Sequence, residues 1–220
     1  MDDWVDLRVK SKSRLTADVV MLELISITNQ ALPRFEAGAY IDIQIPRGIL
    51  RPYSICNAPH ETHRYVIAVR RESPSRGASK YMHDHLKVGD LLCVRHPRNE
   101  FALNPSATYS ALFGGGVGIA PLISMAEVLW RRGSAFELHL SARNSLDAPF
   151  FDQLELAPYK DRVHFHWSEN ERIEFESCFN KLSPFSHVYL CGSSRYMNSA
   201  IGAAIKTDIS QSRLHMESFA

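Results

Sequence analysis

The feature that most constrains this chain is a change of hydrophobic period at Asn104-Pro105-Ser106. Before that point the chain is punctuated by strand-like runs: VVMLELISI at 19–27, IDIQIP at 41–46, RYVIAVRR at 64–71 and DLLCVRHP at 90–97. Ile41, Ile43 and Ile45 alternate with polar neighbours, the pattern of a strand with one buried face. Short turns, AGA, PRG and VGD, suit antiparallel neighbours, so residues 1–104 are expected to form a small β-barrel domain.

Beyond that point strands alternate with helical patterns. YSALF is followed by a helix over IAPLISMAEVLWRRG, then AFELHLSA, a short helix at FFDQLEL, RVHFHWS, HVYLCG and a helix through RYMNSAIGAAIK. Such a βαβ series predicts a parallel sheet covered by helices over residues 105–220. Ile119, Leu122, Ile123, Ala126, Leu129 and Trp130 recur at helical spacing and are expected to face that sheet.

Composition narrows the partners. Lys and Arg number 25 against 24 acidic residues, and the net charge of +1 supplies no general attraction for nucleic acid or an anionic membrane. The N-terminus MDDWVDLRVK has no secretory pattern, and no run approaches the roughly 20 apolar residues of a membrane helix, so a cytoplasmic protein is expected. Cys56, Cys93, Cys178 and Cys191 form no C-x-x-C pair, and reduced thiols are expected. HDH at 83–85 and HFH at 164–166 invite a metal reading, but two histidines at that spacing make a weak two-ligand site; no metal is expected.

Two stretches carry chemistry. LFGGGVGIAP at 112–121 joins a strand to a helix, and Gly114, Gly115, Gly116 and Gly118 let backbone approach a phosphate at the helix N-terminus, with Pro121 in the first turn. The spacing is neither G-x-G-x-x-G nor a triphosphate loop, so a plain tight turn remains open beside the pyrophosphate cradle. RPYSICN at 51–57 sets a fixed cation, a rigid proline, a ring and a hydroxyl side by side, with Pro52 read as fixing the strand exit.

RPYS together with GGGVGIAPLISM resembles the ferredoxin–NADP reductase superfamily. AVRRESPSRGASKYMHDHLKVGD (68–90), PRNEFAL (97–103), YLCGSSRYMNSA (189–200) and HMESFA (215–220) look like its phthalate dioxygenase reductase branch, the reductase components of Rieske oxygenases. The resemblance implies a six-stranded antiparallel flavin-binding barrel and a nicotinamide-binding α/β domain. It implies that Arg51 pairs with an FMN phosphate, that Tyr53 packs beside the flavin ring and that Ser54 bonds near its reactive nitrogen. Arg76, Gly77, Ala78 and Ser79 would form the second phosphate contact at a helix start, with Gly77 allowing close approach and Ser79 donating.

The glycine run would hold the NADH pyrophosphate, and Cys191 with Gly192 would line the nicotinamide pocket. Glu217 would place a carboxylate near that pocket, and Phe219 a ring over the flavin, which it must vacate before nicotinamide stacks. Ser54, Cys191, Glu217 and Phe219 are the expected catalytic set, acting by positioning without a general base.

The implied reaction is hydride transfer from NADH to FMN, then single-electron delivery to a [2Fe–2S] ferredoxin or Rieske-type oxygenase. The C-x4-C-x2-C cluster pattern of that branch's ferredoxin domain is missing from this sequence, leaving either a naturally short module with a separate carrier or a fragment. CGSS at 191–194 stands where relatives often have Cys-Gly-Pro. Arg143 is placed to reach a 2′-phosphate, so NADPH stays open. A flavin-binding redox sensor and a reductase for another acceptor are the rival readings.

Overall fold

The computed structural model describes residues 3–72 and 77–218. Backbone contacts divide the chain into two compact units, Met1–Ala102 and Leu103–Ala220.

The first unit is a six-stranded antiparallel sheet in the order β4-β3-β6-β1-β2-β5. Its strands are β1 (Trp4–Arg14), β2 (Val19–Ser26), β3 (Tyr40–Ile45), β4 (Ile49–Ser54), β5 (Tyr65–Arg70) and β6 (Leu91–Arg95). Alternation does the work expected of it: Ile41, Ile43, Leu22, Leu24, Leu7 and Val9 point into one core. A bulge between Val9 and Ser11 shifts the register of β1 against β2. The two end strands approach each other at the bridge Ile55↔Ile67, so the sheet is a near-barrel.

RPYS corrects the reading of Pro52. Arg51–Ser54 lies inside β4 instead of leaving it, with Pro52 opposite Asp42 of β3. Proline has no N–H to give a ladder, and β4 is an end strand, where that loss is tolerated. The two residues that follow the motif are structural. The Cys56 N–H donates to the Val66 carbonyl at 2.8 Å, and the Asn57 side chain accepts from the Val66 N–H at 2.8 Å while donating to the Arg64 carbonyl at 3.2 Å. An amide side chain thus continues the pairing of the end strands.

PRNEF closes the other side. Arg98 forms an ion pair with the buried Asp42, and Asn99 donates to the Ala37 carbonyl at 3.0 Å while accepting from the Phe101 N–H at 3.0 Å. The helix α1 (Ala78–Asp84) sits between β5 and β6 in sequence and buries Ala78 and Met82 in the same core.

The second unit is a parallel sheet in the order β11-β10-β7-β8-β9. Its strands are β7 (Tyr109–Gly115), β8 (Ala135–Ala142), β9 (Val163–Trp167), β10 (Ser186–Gly192) and β11 (Leu214–Ser218); its helices are α2 (Ala120–Arg131), α3 (Phe151–Glu155), α4 (Phe175–Phe179) and α5 (Ser194–Lys206). One sheet face packs Ala111, Phe113, Val188 and Leu190 under α4 and α5. The helix α2 packs on β7, β8 and β10.

Of the residues expected on the sheet side of α2, Ile119, Leu122, Ala126 and Leu129 are buried. Trp130 is not: it is 37% exposed and lies under the Arg162 guanidinium, 5.3 Å from the ring centroid. A broad amphipathic ring at the rim of a helix face can be covered by a cation in place of core. Among the described residues no helix is long and apolar enough to cross a membrane.

Candidate functional site

In the first unit β4 and the start of α1 supply the polar groups. Arg51 is half-buried, and its Nη1 donates to the Leu50 carbonyl at 2.7 Å, which holds the guanidinium near the strand. The Tyr53 ring packs against the core, and burial, then the Glu72 charge, push its hydroxyl up to about 12, so it stays a neutral donor at physiological pH. Ser54 is 5% exposed, a hydroxyl at the inner end of the motif.

Gly77 precedes α1 with φ of 111°, a left-handed setting that other residues rarely adopt. Glycine at the cap position offers no side chain of its own to the first turn of that helix. Ser79 is the second residue of α1, at the start of the helix, with Gly77 at the cap position. Its hydroxyl accepts from the Glu72 N–H at 3.1 Å. Arg76 and Phe219 lie outside the described residues. A guanidinium and a left-handed glycine at a helix start are groups of the kind that hold a phosphate.

In the second unit the parallel strands end on one edge, and the glycine turn, Cys191, Gly192 and the end of β11 meet there. Register places Cys191 between Gly114 of β7 and Glu217 of β11. Cys191 is fully buried, and its thiol lies 3.9 Å from Glu217 Oε2 as a weak donor. Burial, then the Glu217 charge and hydrogen bond, push the thiol well above its ordinary range, so Cys191 is a protonated wall and not a nucleophile.

The glycines have separable causes. A Cβ on Gly118 would fall 2.4 Å from the Cys191 carbonyl oxygen, and one on Gly115 or Gly192 would fall 2.8 Å from the Tyr196 ring. A Cβ on Gly114 would meet Ile119 at 2.8 Å. These four let the turn nest against β10 and Tyr196. Gly116 differs: its φ is 54° and nothing lies within 4 Å of an added Cβ, so this glycine faces open space ahead of the 3-10 turn Gly116–Ile119. Neither that turn nor α2 has a side-chain cap, and Pro121 lies in the first turn of α2, where no ladder bond is lost. An open left-handed glycine before uncapped amides fits a pyrophosphate.

Sequence reasoning overlooked Tyr196 and Ser193. Tyr196 shapes the turn: its ring meets Phe175 edge-on at 5.1 Å between centroids, and its hydroxyl accepts from Ser141 at 3.4 Å. Ser193, within the CGSS departure, caps α5 by accepting from the Tyr196 N–H at 3.4 Å. A serine just before a helical pattern was the available signal. Arg143 is exposed in the turn after β8.

Comparison with known proteins supplies the context. The family model for an oxidoreductase FAD-binding domain matches residues 6–103. The chain is 36% identical over 218 residues to the vanillate O-demethylase oxidoreductase of Pseudomonas putida, covering 98% of this chain and 69% of that protein. It is 38% identical over 202 residues to the phthalate dioxygenase reductase of Burkholderia cepacia, covering 90% and 63%. A solved phthalate dioxygenase reductase, described as a modular structure for electron transfer from pyridine nucleotides to [2Fe–2S], superposes with a TM-score of 0.94 at 35% identity over 100% of this chain and 69% of that one. The chain thus spans about two thirds of the relatives it matches.

Proposed function

This chain belongs to the phthalate dioxygenase reductase family of flavoprotein oxidoreductases, and from that premise we propose that it is the flavin and nicotinamide portion of an NADH-dependent reductase that feeds an oxygenase through a [2Fe–2S] carrier. Flavin bound in the first unit would supply the exchange between two-electron acceptance from a nicotinamide and one-electron release to an iron–sulfur acceptor. FMN is the proposed flavin.

Each residue then has a task. Arg51 and the amides of Gly77, Ala78 and Ser79, with Arg76, bind the FMN phosphate; Tyr53 and Ser54 orient the ring, Tyr53 as a neutral donor. Gly114–Gly118 and Pro121 seat the nucleotide pyrophosphate on the uncapped turn before α2. Cys191, kept protonated, and Gly192 form the nicotinamide wall, Glu217 holds the carboxamide side, and Phe219 covers the flavin until nicotinamide arrives. No proton acceptor is needed, because hydride leaves the nicotinamide directly.

The observation that carries this reading is the open, left-handed Gly116 in a glycine turn whose Gly114 pairs with Cys191 at the C-terminal edge of a parallel sheet. To test it, the flavin is released by denaturation and identified by chromatography, and the intact holoprotein is titrated with NADH and NADPH. Bound FMN that bleaches rapidly with NADH and reduces an artificial acceptor is expected. FAD would overturn the flavin assignment, equal efficiency with NADPH the coenzyme assignment, and a flavin inert to both the enzyme itself. Phe219→Ala is expected to change the stopped-flow rate of flavin reduction with flavin still bound.

A further inference from the structure

The edge of the parallel sheet carries a polar cluster that the reductase chemistry does not use. Glu137 and His139 are two residues apart on β8 and share one face, and the parallel register sets His139 beside His164 of β9. One donor atom from each of Glu137, His139 and His164 lies within 4.8 Å of the others. His139 Nε2 is 3.3 Å from Glu137 Oε1, and His164 Nε2 is 4.0 Å from Glu137 Oε2.

The decisive detail is His139. It is only 5% exposed, and its Nε2 is buried without a hydrogen-bond partner. The Glu137 oxygen is near enough but out of line. Its other nitrogen, Nδ1, lies 2.8 Å from His166 Nε2. With the proton on Nδ1 donated to His166, the Nε2 lone pair faces a carboxylate, and a cation between them converts that repulsion into two bonds.

The rings hold this aim: Phe113 stacks on His139 at 4.3 Å and His139 on His164 at 4.7 Å. A cavity of about 550 Å³, lined also by Tyr109, Cys178 and Lys181, gives access from solvent. Lys181 opposes a cation there, and the Glu137 carboxylate offsets it.

We propose that Glu137, His139 and His164 form a binding site for a divalent transition cation of the zinc class, with His166 orienting His139 and a fourth position open to the cavity. Two imidazoles and a carboxylate suit such an ion, and a histidine ligand whose second nitrogen donates to a neighbour is the usual arrangement. Tetrahedral coordination needs donor atoms roughly 3.3 Å apart. The exposed His164 closes that difference by side-chain rotation. The ion would pin the outer strand β9 to β8.

The test uses the full chain without a histidine tag, treated with chelator and equilibrated with Zn²⁺ alone, and needs neither flavin nor turnover. One equivalent per chain is expected, with a dissociation constant of about 1 µM or tighter, and a rise in the unfolding midpoint. His139→Ala removes a buried ring and is not relied on. His164→Ala and Glu137→Gln are each expected to weaken binding at least about tenfold. His187→Ala, in the separate pair His187–His215 joined at 2.9 Å, is expected to leave it unchanged. Absence of stoichiometric Zn²⁺, full affinity in both His164→Ala and Glu137→Gln, or loss only in His187→Ala would overturn the site.

Discussion

In the first unit the groups proposed for the ligand are mostly side chains on an end strand, Arg51 and Tyr53 among them; in the second they are mostly glycines whose absent Cβ atoms would otherwise strike β10, Ile119 or Tyr196. In the first motif Tyr53 and Ser54 are packed, whereas the half-buried Arg51 reaches past the core and the fold does little to dictate its chemistry. The second is dictated by internal packing before any ligand is considered. Substitution in one motif should therefore separate binding from stability, and in the other it should not.

The strongest way to break this contrast is Gly118→Ala. An added Cβ 2.4 Å from a backbone carbonyl must displace β10 or the turn, and a loss of about 3 kcal/mol in urea unfolding is expected, a large part of a typical domain's stability. A variant as stable as the parent would show that the turn is looser than its packing suggests. Next comes Arg51→Ala, expected to weaken flavin binding by about 1.5–3 kcal/mol, or roughly ten- to hundredfold, while the unfolding midpoint of the flavin-free protein holds. Equilibrium dialysis and thermal unfolding on the same samples check both halves.

Alkaline pH sharpens the contrast from the first unit's side. Burial, against a weaker pull from the Ala68 backbone, raises the Cys56 thiol from 9.0 to about 12, so between those values the unfolded thiol has released its proton and the folded one has not. The unfolded state then binds fewer protons, and stability falls as pH rises through that window, by on the order of 1 kcal/mol per pH unit. Urea titrations from pH 8 to 10.5 are expected to show this slope, reduced in Cys56→Ala. The smallest effect belongs to Gly116→Ala: no clash, only left-handed strain of about 1 kcal/mol in unfolding, with a larger loss in NADH affinity if the open cradle is used.

The two-unit architecture was legible because period 2 and period 3.6 are properties of consecutive residues. β1 was not read, although Val5, Leu7 and Val9 alternate in it, because the acidic and mixed start of the chain obscured the pattern. The five-residue α4 was too short to declare a period. Within the sites the residue types were readable, whereas their causes were not: nothing in GGGVG says that Gly118 meets a carbonyl of a strand more than seventy residues away while Gly116 meets nothing. The cluster of Glu137, His139 and His164 escaped for the same reason, since HFH shows one pair and the register with β8 supplies the rest.

Where the first unit's sheet nearly closes, the Asn57 side chain stands in for a rung between β4 and β5. End strands with unpaired N–H and C=O groups are templates for a second molecule, and proline or a closing contact withholds them. Asn57, with Pro52 a few residues before it, thus leaves fewer unpaired groups on these end strands for a second molecule to add to.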